Sequence, residues 1–200
     1  DAPLGPQTWF RAGGPAEVLF RPADVEDLSA FLAALPQDVP VTVLGVGSNL
    51  LVRDGGVKGV VIRLMRGFTG IDVDGHEVIA GAGAPDLNVA LTARDHALAG
   101  LEFLSGIPGT IGGAVAMNAG AYQGDLSQVL VSAEAVDRAG RVHKVSAADL
   151  GFTYRHSEAP ADWIFTSARL AATPGDQLAI ARRIAEIDAA RTESQPRSRT

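Results

Sequence analysis

Three clusters in this chain hold the residue types that chemistry requires. In the first, Gly45, Val46, Gly47, Ser48, Asn49 and Leu50 join two bare glycines to a hydroxyl and an amide. Successive N–H groups around glycines form a concave nest for an anion such as a pyrophosphate, and the same residues also suit a tight strand-to-strand turn. The dinucleotide fingerprint is not met, because Leu50 replaces the third glycine and a β-rich run follows where a helix should. Nor is it a P-loop, since no Gly-Lys-Ser/Thr is present.

The second cluster is longer. Residues 103–124 are 22 positions without a charge and contain six glycines, with Ser105, Ile107, Pro108, Gly109, Thr110, Gly112, Gly113, Asn118, Gly120 and Ala121 among them. Ordering glycine costs more entropy than ordering any other residue, so such a stretch needs a ligand that meets bare backbone, or a close-packed small-residue helix. A membrane span is excluded by composition, because the glycines, Pro108, Asn118, Tyr122 and Gln123 leave too little apolar side chain. The third cluster is 151–157, with Tyr154, Arg155 and His156 at its centre. A guanidinium fork can polarise a carboxylate bidentately, while an arginine beside a tyrosine also reads as an exposed residue with a packed stem.

Other chemistries find no support. The four histidines, His76, His96, His143 and His156, lack metal-ligand spacing and read as surface residues. There is no Gly-x-Ser-x-Gly elbow and no acidic cluster for calcium or magnesium. Zero cysteines remove thiol catalysis and disulfides. A net charge of −6 makes nucleic acid a poor partner, since that affinity rests on neutralising phosphates. The chain opens at Asp1 with no basic-then-apolar leader, so no signal peptide is expected. At 46% hydrophobic and 20% charged it has the balance of a globular chain, and its 23 glycines are an excess that the clusters account for in part.

The elements that position these clusters follow from periodicity. Residues 16–20 read as a strand, and Asp24 caps a helix with Asp27 at its third position and a stripe of Leu28, Phe31, Leu32 and Leu35 before Pro36. Residues 39–44 read as a buried strand, 50–52 as a further β run, and 57–64 as a strand after an Asp54-Gly55-Gly56 turn. A hairpin over 71–80 has Asp74-Gly75 at its tip. A helix follows Pro85, with Leu87, Leu91 and Leu98 on one face before Gly100. A second hairpin pairs 129–136 with 141–145, 163–170 is a strand, and 174–191 is a helix with an Ile180, Ile184 and Ile187 stripe. The residues from Ser194 onward read as a linker. No internal repeat or low-complexity tract is present.

Taken together the motifs resemble the UDP-N-acetylenolpyruvoylglucosamine reductase family. The residues that carry the likeness are Leu44-Gly45-Val46-Gly47-Ser48-Asn49-Leu50-Leu51, Gly100-Leu101-Glu102, Gly106-Ile107-Pro108-Gly109-Thr110-Ile111-Gly112-Gly113, Asn118-Ala119-Gly120-Ala121-Tyr122 and Tyr154-Arg155-His156-Ser157. The opening Thr8-Trp9-Phe10-Arg11-Ala12-Gly13-Gly14-Pro15-Ala16 is similar too, so the likeness covers essentially the whole chain.

The resemblance implies an α+β protein with the two-subdomain FAD-binding fold of the vanillyl-alcohol oxidase (p-cresol methylhydroxylase) type. Residues 1–64 would form the small α/β subdomain, 65–172 the larger α+β one, and 173–200 a helix and linker to a substrate-binding domain that this chain lacks. It implies a cytoplasmic monomer of peptidoglycan synthesis, serving cell-wall biogenesis, cell shape and cell division, without nucleic acid or membrane partners. NADPH would reduce a tightly bound FAD. Hydride would pass from the flavin N5 to C3 of the enolpyruvyl ether of a UDP-sugar, with protonation at C2.

Carried residue by residue, Arg155 is the catalytic cation that stabilises the enolate and Tyr154 a substrate contact. FAD would be met by Gly45, Val46, Gly47, Ser48, Asn49, Leu50, Ser105, Ile107, Pro108, Gly109, Thr110, Gly112, Gly113, Asn118, Gly120 and Ala121; no metal is implied. The family's proton-donating serine and a further glutamate follow a stretch like Gln195-Pro196-Arg197, so no serine within this chain takes that role, and the fragment alone is expected to be inactive. The competing readings are another flavin oxidase or dehydrogenase of the same fold acting on an alcohol or sugar, and a small-residue interaction scaffold without catalysis.

Overall fold

The computed structural model describes residues 1–195. It is built on two sheets. The smaller has β1 (Ala2–Pro3), β2 (Pro15–Phe20), β3 (Val41–Leu44) and β4 (Val57–Arg63) in the order β1-β2-β4-β3, with β4 parallel to both neighbours. Helix α1 (Val25–Ala34) joins β2 to β3. Its start is capped twice: the Asp24 carboxylate accepts from the Asp27 N–H at 2.8 Å, and the Asp27 carboxylate accepts from the Ala23 N–H at 2.9 Å. The central strand β4 is buried on both faces, as a parallel strand between two layers must be. Val60 and Ile62 pack with Leu28 and Leu32 of α1, and Val61 packs oppositely with Leu4, Ala16, Leu44 and Val52.

The larger sheet is antiparallel. It contains β5 (Ile71–Asp74), β6 (Glu77–Gly81), β10 (Leu130–Val136), β11 (Val142–Ser146) and β12 (Ile164–Ala171), in the order β11-β10-β12-β6-β5. Between β6 and β10 the chain forms α2 (Asp86–Asp95), β7 (Leu98–Ala99), a 3-10 turn at Glu102–Gly106, α3 (Ile111–Ala116), β8 (Gly120–Ala121) and β9 (Gly124–Asp125). After β12 come β13 (Thr173–Pro174), paired with β7, and α4 (Gln177–Ser194). Ile180 and Ile184 of α4 join the main core, where the helix packs against the 3-10 turn at Glu102–Gly106 and α2, and Ile187 is 1% exposed.

The two sheets share a core. Val136 and Ile164 of the larger sheet, with Phe68 and Ala82, pack against Leu28, Leu32, Val60 and Ile62. A clasp reinforces it. The β10–β11 hairpin turn lays Arg138 on the loop that follows α1, where its guanidinium donates to the carbonyls of Pro36 at 3.0 Å and Val39 at 3.1 Å. Gln37 donates back to the Arg138 carbonyl. Asp137 organises that turn. Its carboxylate accepts from the Ala139 and Arg141 N–H groups, from the Arg141 guanidinium at 2.9 Å and from His143 at 2.8 Å. These bonds hold Asp137 well below the ordinary carboxylate range, the His143 contact weighing most.

Several sequence expectations need correction. Residues 50–52 are not a strand: both edges of β4 are already taken by β2 and β3, and Leu51 stands 72% exposed. β3 is an edge strand rather than a buried one, with Val43 exposed. In α2 the buried face is Asp86, Val89, Ala90 and Ala93; Leu87 is exposed, Leu91 lies at the margin, and Leu98 belongs to β7. Small residues win that face because the helix lies close against the 3-10 turn at Glu102–Gly106. The first hairpin turns on Gly75-His76, one residue later than expected, since Asp74 pairs with Glu77. His143 is half-buried, stacked on Trp163 at 4.6 Å; the other three histidines are exposed. Helix α4 runs through Ser194, into the expected linker, whose residues 196–200 lie outside the described ones.

Candidate functional site

A cleft of about 690 Å³ opens at the carboxyl end of β3, between the 45–50 loop and the glycine-rich segment 106–122. That is the place where parallel α/β sheets bind ligands. One wall is the loop 45–50. Gly45 crosses under Thr110, so that a Cβ on Gly45 would stand 2.5 Å from the Thr110 hydroxyl. Gly47 has φ +68°, and a Cβ there would meet the backbone of Gln7 and Thr8. The loop is held from behind, where the Trp9 N–H donates to the Gly47 carbonyl at 2.9 Å. Among the described residues, the N–H groups of Val46, Gly47, Ser48 and Asn49 have no protein acceptor. Four such donors beside a cleft form a site for anionic oxygens.

The facing wall is the glycine-rich segment. The turn 106–110 runs antiparallel to the start of α2, with the Asp86 N–H donating to the Gly109 carbonyl at 3.2 Å and the Ile111 N–H to the Ala84 carbonyl at 3.0 Å. Ile107, Pro108, Gly109, Thr110 and Gly113 face the cleft, as do Gly120, Ala121 and Tyr122. Gly113 is exposed, and a Cβ on it would meet nothing within 4 Å. Beside it, Gly112 lines a smaller cavity of about 170 Å³ that shares Gly45, Thr110 and Gly113 with the cleft.

Arg155 closes the far end. It sits in a two-residue turn between Thr153 and His156, whose backbones exchange hydrogen bonds at 3.0 and 3.2 Å. Its φ of +55° is a left-handed conformation that costs about 1–2 kcal/mol for a residue with a Cβ. Strain of this kind persists only where its surroundings enforce it. One such support is Asn118, which donates to the Thr153 carbonyl at 3.0 Å and accepts from the Ser127 N–H at 2.9 Å. The turn that carries Arg155 is thereby tied to the glycine-rich wall.

The structure therefore brings Gly45, Val46, Gly47, Ser48, Asn49, Leu50, Ile107, Pro108, Gly109, Thr110, Gly113, Gly120, Ala121 and Arg155 to one cleft. Four expected residues stand elsewhere. Gly112 faces the smaller cavity, and Ser105 is buried with its hydroxyl donated to the Glu102 carbonyl at 2.7 Å. Asn118 is the tether just described. Tyr154 is 90% exposed, its ring 5.7 Å from the Arg155 guanidinium carbon. Sequence reasoning missed Asp86, Met117, Tyr122 and Gln195 on the cleft wall. Asp86 carried no signal of its own, because an acidic residue in the first turn of a helix is ordinary and only the fold shows it buried. Among the described residues no group of histidines and carboxylates can hold a metal. No helix among them is long and apolar enough to cross a membrane.

The arrangement can seat a large anionic ligand, with unpaired N–H groups for phosphates, bare backbone for a flat ring and one cation at the end. Comparisons agree with this chemistry. A family model described as an FAD binding domain matches residues 16–146. The UDP-N-acetylenolpyruvoylglucosamine reductase of Azorhizobium caulinodans is 59% identical over 201 residues, covering 100% of this chain and 65% of that protein. The protein of the same name from Paramagnetospirillum magneticum is 60% identical, covering 98% of this chain and 64% of its own. The crystal structure of UDP-N-acetylenolpyruvylglucosamine reductase from Thermus caldophilus superposes with a TM-score of 0.86 at 39% identity, covering 98% of this chain and 70% of that one. This chain thus spans about two thirds of the length of the curated relatives it matches.

Proposed function

This chain belongs to the UDP-N-acetylenolpyruvoylglucosamine reductase family, and from that premise we propose that its cleft binds FAD for the reduction of a UDP-sugar enolpyruvyl ether. The observation that carries the reading is the row of four unpaired N–H groups at 46–49, facing a wall of bare glycine backbone across a cleft that ends at Arg155. The residues present fit the cofactor. Val46, Gly47, Ser48 and Asn49 would hold the pyrophosphate, and Gly113, where a Cβ would meet nothing within 4 Å, leaves open the space that a side chain would fill. FAD, when bound, supplies hydride chemistry, accepting from NADPH and delivering to C3 of the enolpyruvyl group.

The remaining work falls to the chain. As hydride arrives at C3, negative charge develops at C2 and spreads into the substrate carboxylate, and Arg155 is the cation positioned to stabilise it. A preorganised donor of this kind contributes about 2.7–4 kcal/mol to the transition state, or roughly 10²–10³ in rate. Asn118 and the Thr153–His156 pairing fix the backbone turn that presents Arg155 before substrate arrives, which limits the reorganisation required at the moment of reaction. The finer features belong to the same proposal: the vanillyl-alcohol oxidase type of fold, NADPH as reductant, and a monomeric cytoplasmic protein of peptidoglycan synthesis.

The test is spectroscopic. The purified protein is expected to carry or take up FAD, with flavin absorbance and quenched fluorescence; a protein that binds none refutes the reading. In the full-length protein, Arg155→Ala should leave reduction by NADPH intact and slow reoxidation by substrate by about 10²–10³. Unchanged reoxidation removes Arg155 from the role.

A further inference from the structure

One carboxyl in the cleft wall has no task in the reading above. Asp86 is the first residue of α2, after the Pro85 cap, and is fully buried. Neither of its side-chain oxygens has a hydrogen-bond partner among the described residues. It lies beneath the 106–110 turn, where a Cβ on Gly109 would stand 2.7 Å from Asp86 Oδ2. The turn's other surface lines the cleft. An ionised carboxylate cannot be kept in such a place without partners, and it takes up a proton instead. Burial accordingly pushes Asp86 up to about 8, opposed only in part by the nearby Gly109 N–H.

We propose that Asp86 is a positioning residue for the flavin nucleotide: uncharged, it supports the 106–110 turn in the form that admits the ligand, and its ionisation weakens binding. The inference rests on the flavin reading of the cleft. Among the described residues no charged side chain bonds to Asp86. On the turn before 106, Glu102 accepts from the Gly100 N–H. In the β5–β6 hairpin, Asp74 and Glu77 pair with Arg169. On α4, Arg183 pairs with Glu186, and on α2 itself Arg94 pairs with Asp95. In the cleft, Tyr122 and Arg155 are the other titratable groups, and neither bonds to Asp86. Phosphates seated on the 46–49 loop add negative charge to the same cleft, so the complex holds the Asp86 proton more tightly than the free protein. By linkage, binding above pH 8 takes up a proton and weakens as pH rises.

The experiment measures FAD affinity by fluorescence quenching from pH 6.5 to 9 for wild type, Asp86→Asn and Asp86→Ala. Wild-type affinity should be level to near pH 8 and then fall, approaching tenfold per pH unit. Asp86→Asn, neutral and of the same shape, should match wild type within about threefold at pH 7 and lose the pH dependence. Asp86→Ala should bind about tenfold more weakly throughout. Calorimetry at pH 8.5 in two buffers of different ionisation enthalpy should show proton uptake on FAD binding to wild type and none for Asp86→Asn; this measurement on wild type stands alone if a variant fails to fold. Parallel pH profiles for wild type and Asp86→Asn, or no proton uptake by wild type, overturn the role of Asp86 while leaving FAD binding intact. A wild type that binds no FAD at any pH overturns both readings.

Discussion

Gly113→Ala separates ligand-shaped glycines from structural ones. Gly113 is the third residue of α3, exposed, and a Cβ added to it would meet no protein atom within 4 Å. In the free protein the substitution therefore costs no contact and narrows the unfolded ensemble, which stabilises by about 0.4–1 kcal/mol. For a chain of this size that raises the midpoint of melting by roughly 1–4 °C. The same methyl projects into the cleft. A rigid ring resting on bare backbone there must shift, and overpacking of that kind costs about 1–3 kcal/mol, or roughly 5- to 150-fold in affinity. The neighbouring Gly112→Ala is the control, because its Cβ would lie 2.8 Å from the Ala82 methyl and should destabilise the free protein. Differential scanning calorimetry of flavin-free protein and fluorescence titration with FAD read the two effects separately. A Gly113→Ala variant that melts higher and binds FAD as tightly as wild type would refute the placement of the ligand on α3.

Three further outcomes follow from the structure. Asn118→Ala removes the tether to Thr153 at a backbone φ of +44°, which alanine adopts poorly, and should cost about 1–3 kcal/mol in stability; in the full-length protein turnover should fall while FAD affinity holds, and equal losses in both would argue against the tether. Ile187→Ala empties a buried site against the Gly106 turn and should cost about 2–5 kcal/mol by urea denaturation. Because the folded-state Asp137 is a stronger acid than its unfolded form, its contribution is full above the unfolded value of about 3.9 and is lost as pH falls through the folded one. The difference in urea midpoint between wild type and Asp137→Asn should therefore shrink from pH 6 to pH 3, and a constant difference would contradict the sign.

Much of the scaffold was legible because local signals and tertiary packing agreed. The Asp24 cap, the isoleucine stripe of α4 and both hairpins were readable from spacing alone. Failures came where the third dimension decided. Residues 50–52 look like a strand, yet both sides of β4 are taken by β2 and β3 and Leu51 turns out to solvent. The leucines of α2 look like its buried face, yet a tightly packed neighbour favours Ala90 and Ala93. Most of the cleft was legible through its glycines, since bare backbone is a requirement written directly in residue type. Asp86 was not, because its character comes from desolvation, which no spacing reveals. Asn118 sat inside the right motif, and only the fold shows that it braces Arg155 instead of facing the cleft.

The two hairpin turns of the larger sheet have opposite consequences for anyone wishing to splice into this protein. Both advertise an exposed tip in sequence. At Gly75 a Cβ would meet nothing within 4 Å, so a peptide tag or reporter domain inserted there has room to leave the surface. At Gly140, φ is +76° and a Cβ would abut the Ser29 carbonyl of α1, because the Arg138 clasp draws the turn onto the other sheet's helix. A graft at 138–140 would pry apart the joint on which the cleft depends, and a split-protein design cut at Gly75 should reassemble where one cut at Gly140 should not.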